Sequence, residues 1–142
     1  MNQERMDIEI RQYNEPGYAP VIDFGAWRVA VLNDIDELKV HNLKTMQKHL
    51  ETDEVFVLLK GSCTLFTAGN GKEAGTIQST NLEPCKCYNV KAGVWHTHTL
   101  TENSSVLIIE NLDTCEENSP VTKLTEEQVR QLQDSYHPEA CL

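Results

Sequence analysis

The sequence predicts an all-β chain, an antiparallel sandwich or barrel with one short C-terminal helix. Short runs of β-branched, aromatic or alternating residues recur between positions 21 and 110. Each run is bounded by Pro, Gly or Asn, which stop strands and turn the chain. Many short strands at regular spacing indicate a sandwich or barrel. Near the C-terminus Thr125, with Gln128 three residues on, forms a capping-box pattern that marks a helix start.

Turn signals at Glu15-Pro16-Gly17 and Pro20 precede a β-like run over residues 21–32, which includes Phe24, Trp27, Val29 and Val31 and makes one or two strands. Residues 33–36 break that run. Residues 38–49 alternate loosely and read as another strand, or as a strand after a turn. Residues 55–59 have no polar interruption, which suggests a strand covered on both faces. Lys60-Gly61 ends it, and residues 62–67 read as its hairpin partner, with Cys63, Leu65 and Thr67 alternating against Thr64 and Phe66. The Gly- and Asn-rich segment 68–75 tips a longer hairpin. Further strands are expected over 76–79, 85–90, 95–100 and 105–110. The helix runs from Thr125 to about Ser135 and carries a narrow apolar stripe of Val129 and Leu132 for packing on the barrel or on a second subunit. His137-Pro138 stops it.

A length of 142 residues suits one domain with one sizeable core, with N-terminal strands over 1–40, a central part over about 41–110 and a tail over 111–142. No stretch approaches the roughly 20 apolar residues that span a bilayer. The opening residues lack the basic and apolar regions of a secretion signal. Five cysteines, Cys63, Cys85, Cys87, Cys115 and Cys141, are an odd number at irregular spacing, which argues against a disulfide framework and for a cytoplasmic, reducing location. Cys85 and Cys87 would share one face of a strand, yet a zinc knuckle expects more intervening residues and a second pair. The net charge of −10 repels phosphate backbones, so DNA, RNA and anionic membranes are poor partners.

Chemistry concentrates on His49, Glu54 and His96. Imidazole and carboxylate are the ligands expected for divalent Fe, Mn, Ni, Co or Zn, and two histidines with one carboxylate leave coordination positions open for water or substrate. Gln47 has the facing parity of His49 and offers an amide oxygen, either as a weaker ligand or as an anchor for bound water. His98 shares the parity of His96 and is the candidate acid-base residue, the alternative being a position beyond the barrel rim in solvent. His41 reads as a surface residue. Taken singly, Glu54 fits a solvated turn and His49 a rim histidine; only their joint occurrence with His96 points to a metal. Trp27, Phe56, Phe66, Tyr88 and Trp95 either line a pocket mouth or form core, with Trp95 facing away from His96.

The spacing resembles the cupin superfamily, in particular its small bacterial RmlC-like members. In the first cupin motif two histidines one residue apart precede a glutamate, and a glycine follows after six more residues. Here His49, four residues, Glu54, six residues and Gly61 reproduce its second half, with Gln47 at the first histidine and His41 at the opening glycine. Gly93, Val94, Trp95 and His96 fit the centre of the second motif, while Cys85, Lys91 and Leu100 stand where it has glycine, proline and asparagine. The resemblance implies a double-stranded β-helix, or jelly-roll barrel, that pairs as a homodimer. It implies a bound divalent metal and a small polar ligand such as a sugar or organic acid. Isomerase, lyase and dioxygenase chemistry all fit such a site, as does a non-catalytic binding barrel with a degenerate metal site.

Overall fold

The computed structural model describes residues 7–138, and Cys141 lies outside them. Its strands are β1 (Gly17–Phe24), β2 (Trp27–Asn33), β3 (Thr45–Gln47), β4 (Glu54–Lys60), β5 (Cys63–Thr67), β6 (Gln78–Asn81), β7 (Tyr88–Val90), β8 (His96–Leu100), β9 (Ser105–Asn111) and β10 (Val121–Lys123), followed by helix α1 (Glu126–Asp134). They form two five-stranded antiparallel sheets, ordered β1-β2-β9-β4-β7 and β10-β3-β8-β5-β6. Among the described residues no helix is long and apolar enough to cross a membrane.

Period-two alternation places the core between the sheets. On the first sheet, register aligns Ala30, Ile108 and Phe56 in one cross-strand row and Leu32, Val106 and Leu58 in the next. All six are buried and meet Leu65 and Leu100 of the second sheet. The second sheet buries its other face as well, because Phe66 points away from Leu65 into a cluster with Met46, Trp95, Leu124 and Leu132. Helix α1 covers that cluster. Thr125 caps it and completes the capping box with Gln128, as the sequence indicated, and Leu132 is fully buried.

The run 21–32 resolves into parts of two strands that reverse at Gly25 (φ +59°). Two expectations need correction. Residues 55–67 are not a hairpin: β4 pairs with β7 and β9, whereas β5 pairs with β6 and β8, so Lys60-Gly61 carries the chain from one sheet to the other. Gly61 has φ +75°, and a side chain there would collide with Ser104, whose Oγ accepts the Ser62 N–H at 2.8 Å. A corner needs that close approach; a two-residue hairpin does not. Residues 55–59 are covered on one face, since Phe56 and Leu58 are buried while Leu59 is exposed. Residues 38–49 follow the second of their two readings, a strand after a turn: the short β3 comes after two 3-10 turns, where the Asn42 amide donates to the Asp36 carbonyl (2.8 Å).

Candidate metal centre

The inward face of the first sheet changes chemistry at one end. One row beyond Ala30, Ile108 and Phe56, the same parity delivers Arg28, Glu110 and, by continuing the register one residue, Glu54. Two apolar rows thus end in a charged row, which forms one wall of a cavity of about 850 Å³. The opposite wall comes from the second sheet, where His96 and Gln47 are paired across β8 and β3. His49 enters from the loop between β3 and β4.

His49, Glu54 and His96 are all buried, and one potential ligand atom from each lies within 4.8 Å of the others. Glu54 Oε1 stands 3.2 Å from His49 Nε2 and 2.9 Å from His96 Nε2. The outer nitrogens are engaged elsewhere. His96 Nδ1 donates to the Val94 carbonyl at 2.9 Å, and His49 Nδ1 lies 2.7 Å from Ser119 Oγ. Ser119 Oγ in turn donates to Asn118 Oδ1 at 3.2 Å, which leaves it accepting from His49. With these outer N–H groups engaged, each ring in its neutral form aims an Nε2 lone pair at one carboxylate oxygen.

Lone pairs facing a carboxylate repel unless a positive charge lies among them, either protons on the rings or a cation between them. That donor set fits a divalent metal: outer N–H groups tied to oxygen acceptors fix the tautomer that presents Nε2 to an ion. Without an ion, the histidines themselves supply the positive charge. Burial pushes the Glu54 carboxyl up, but hydrogen bonds and charge from His49 and His96 outweigh it and hold its pKa well below the usual carboxylate range. Burial likewise opposes charge on His49, and the hydrogen bond and charge of Glu54 reverse that, leaving its pKa raised.

Gln47 lines the cavity beside His96. His98 lines it too, with its ring 5.4 Å from Phe56. Burial drives the His98 pKa down to about 4, so the ring is neutral at pH 7. Its Nδ1 is sealed and has no hydrogen-bond partner. An unpaired acceptor is better tolerated there than an unpaired N–H, so the favoured tautomer carries its proton on Nε2. His41 is exposed in a 3-10 turn. Cys85 and Cys87 are exposed ahead of β7, with Cys85 at φ +68°, and His49, Glu54 and His96 form the one group of candidate ligands among the described residues. Phe56, Phe66 and Trp95 are core residues, and Trp95 faces away from His96 as parity requires.

Motif reading overlooked the rest of the wall. Tyr18 Oη donates to Glu110 Oε2 at 3.0 Å, and Arg28 Nη2 lies 3.4 Å from the same oxygen. Burial, then the charge of Glu54, raises the Glu110 pKa; the Tyr18 hydrogen bond and Arg28 oppose the rise. The signal was available in the sequence: Glu110 follows Val106 and Ile108 at inward parity, where a charge needs a reason.

No protein-family model and no curated protein matches the sequence. Solved structures do match the fold. A cupin-2 domain protein of Shewanella frigidimarina superposes with a TM-score of 0.51 at 18% identity, over 70% of this chain and 84% of that one. The QdtA 3,4-ketoisomerase of Thermoanaerobacterium thermosaccharolyticum, solved in complex with TDP, gives 0.53 at 20% identity over 70% and 68% of the two chains. Streptomyces PAC13, solved with uridine, gives 0.58 at 7% identity over 86% and 96%. The architecture is the cupin jelly roll.

Proposed function

We propose that this cupin-fold barrel binds a divalent metal through His49, Glu54 and His96 and acts on a small polar metabolite, a sugar or an organic acid. The observation that carries this is the convergence of two imidazole Nε2 atoms on Glu54 Oε1 inside a cavity large enough for such a ligand. Gln47 is assigned as a weaker fourth contact through its amide oxygen, on its place opposite His96. A bound divalent ion supplies Lewis-acid polarisation of a ligand carbonyl or hydroxyl. His98 is assigned as the proton carrier, because its neutral ring lines the same cavity with a proton available at Nε2. Fe, Mn, Ni, Co and Zn all suit the donor set. TDP and uridine in structures of the same fold support a sugar-bearing ligand. The chain is read as one cytoplasmic domain working as a homodimer, without nucleic-acid or membrane partners, in keeping with its free cysteines and net charge of −10.

Elemental analysis of the purified protein tests the metal. Near-stoichiometric metal in the wild type and its loss in His96→Ala are expected; full retention by the variant refutes the assigned ligand set. A second reading, a binding barrel without catalysis, draws on Gln47 standing where cupins carry a histidine. It predicts substoichiometric metal, and ligand affinity that is unchanged by His98→Gln.

A further inference from the structure

The charged row holds a carboxylate that is half used. Glu110 Oε2 accepts from Tyr18 Oη and sits beside the Arg28 guanidinium. Glu110 Oε1 receives no hydrogen bond from any described residue, and it is not among the buried atoms cut off from solvent. Since Glu110 lines the cavity, this oxygen is an open acceptor on its wall.

Arg28 offers the cavity no matching cation. Besides Glu110 it donates to the Leu112 carbonyl (3.2 Å) and the Thr114 carbonyl (3.3 Å), and its Nε is sealed from solvent. The guanidinium is therefore committed to orienting Glu110 and the backbone after β9. The cavity is lined by four carboxylates, Glu37, Glu54, Glu110 and Glu116, against this one arginine and no lysine. Even a divalent ion at Glu54 leaves that lining with a formal excess of negative charge.

We infer that Glu110, held in place by Tyr18 and Arg28, anchors a hydroxyl group of the ligand, so that the part of the ligand lying on β2 and β9 carries a hydroxyl and bears no phosphate or carboxylate. The inference rests on the cavity being the ligand site and narrows the class proposed for it. A hydroxyl supplies the donor that Oε1 lacks, whereas an anion at hydrogen-bond distance from Oε1 meets a like charge with no free cation to offset it. Glu110 is here a binding residue, and Tyr18 and Arg28 are positioning residues.

Crystals of the full chain, soaked separately in glycerol, sodium acetate and potassium phosphate, test this. A glycerol hydroxyl within hydrogen-bond distance of Glu110 Oε1, with neither anion there, is expected. Acetate or phosphate seated at Glu110, or a bare Glu110 in saturating glycerol, overturns the inference. Glu110→Leu removes the acceptor at similar volume and is expected to lose the glycerol while keeping the anomalous metal signal at His49, Glu54 and His96. Should the stranded Arg28 prevent that variant from folding, Glu110→Gln retains one acceptor oxygen and is expected to hold glycerol at reduced occupancy. The wild-type soaks decide the question without either variant. Glycerol at Glu110 without an anomalous peak sinks the metal reading alone; an anomalous peak with an anion at Glu110 sinks this inference alone.

Discussion

Glu54 ties together the two histidines of the site, and its removal separates ion-pair stability from metal affinity. In chelator-treated protein Glu54→Gln is expected to cost about 1–3 kcal/mol in urea unfolding, less than a broken pair of permanent charges, because the histidines can release their protons. The pH dependence follows from the signs of two shifts. A depressed Glu54 pKa contributes stability that is present above its ordinary value of 4.5 and fades as pH falls below it. A raised His49 pKa contributes stability that is present below 6.5 and fades as pH rises above it. The difference between wild type and Glu54→Gln should therefore peak between pH 4.5 and 6.5 in ion-free protein; a difference that grows steadily above pH 7 contradicts the pairing. His49, Glu54 and His96 were legible in the sequence because their spacings to Gly61 and Gly93 follow a known pattern. Glu110 gave only the sign of a charge at inward parity, and Tyr18 and Arg28 gave none, because they lie on two other strands: Arg28 meets Glu110 through register, while Tyr18, in register with Leu32, reaches it through its hydroxyl.

At the level of elements, the corner at Gly61 governs how the sheets are joined. Gly61→Ala must place a Cβ against Ser104 at a positive φ, so a loss of about 2 kcal/mol or more is expected in thermal or urea unfolding; an unchanged midpoint would show that the corner relaxes freely. Residues 55–67 looked like a hairpin because local sequence specifies a reversal without specifying the partner. Alternation in β4 and β5 fits a shared core between two sheets as well as pairing side by side. Helix α1 was legible because its signals are local: Thr125, Gln128 and Leu132 fix its start and buried face. Thr125→Ala is expected to cost about 1 kcal/mol and Leu132→Ala about 2–5 kcal/mol, since the second also empties the cover over Phe66. Cys63, on β5, is buried, which pushes its thiol pKa up to about 12. Thiol-labelling of native protein should modify Cys85, Cys87 and Cys115, which are exposed, and spare Cys63 until the barrel unfolds.

For the whole molecule, linkage makes the metal visible without any assay of activity. A ligand that binds only the folded state adds about 2.7 kcal/mol at a concentration 100 times its Kd. A chelator should therefore lower the Tm of wild type and leave His96→Ala unmoved; equal shifts in both would place the metal elsewhere. The barrel itself was legible from strand spacing and turn residues, which depend only on chain-local chemistry. The allocation of strands to sheets was not, because that choice is made by pairing between strands far apart in sequence, as where Phe56 of β4 lies beside Ile108 of β9.

Glu54 and His96 belong to opposite sheets, His49 joins them from the loop before β4, and Glu54 opens β4 at the end away from the turn that joins it to β5. An ion held there acts as a rivet through one end of the sandwich. Amide exchange should slow around Val55, Val90 and Thr97 on loading and stay unchanged near Ser62, so the barrel breathes from its unriveted end.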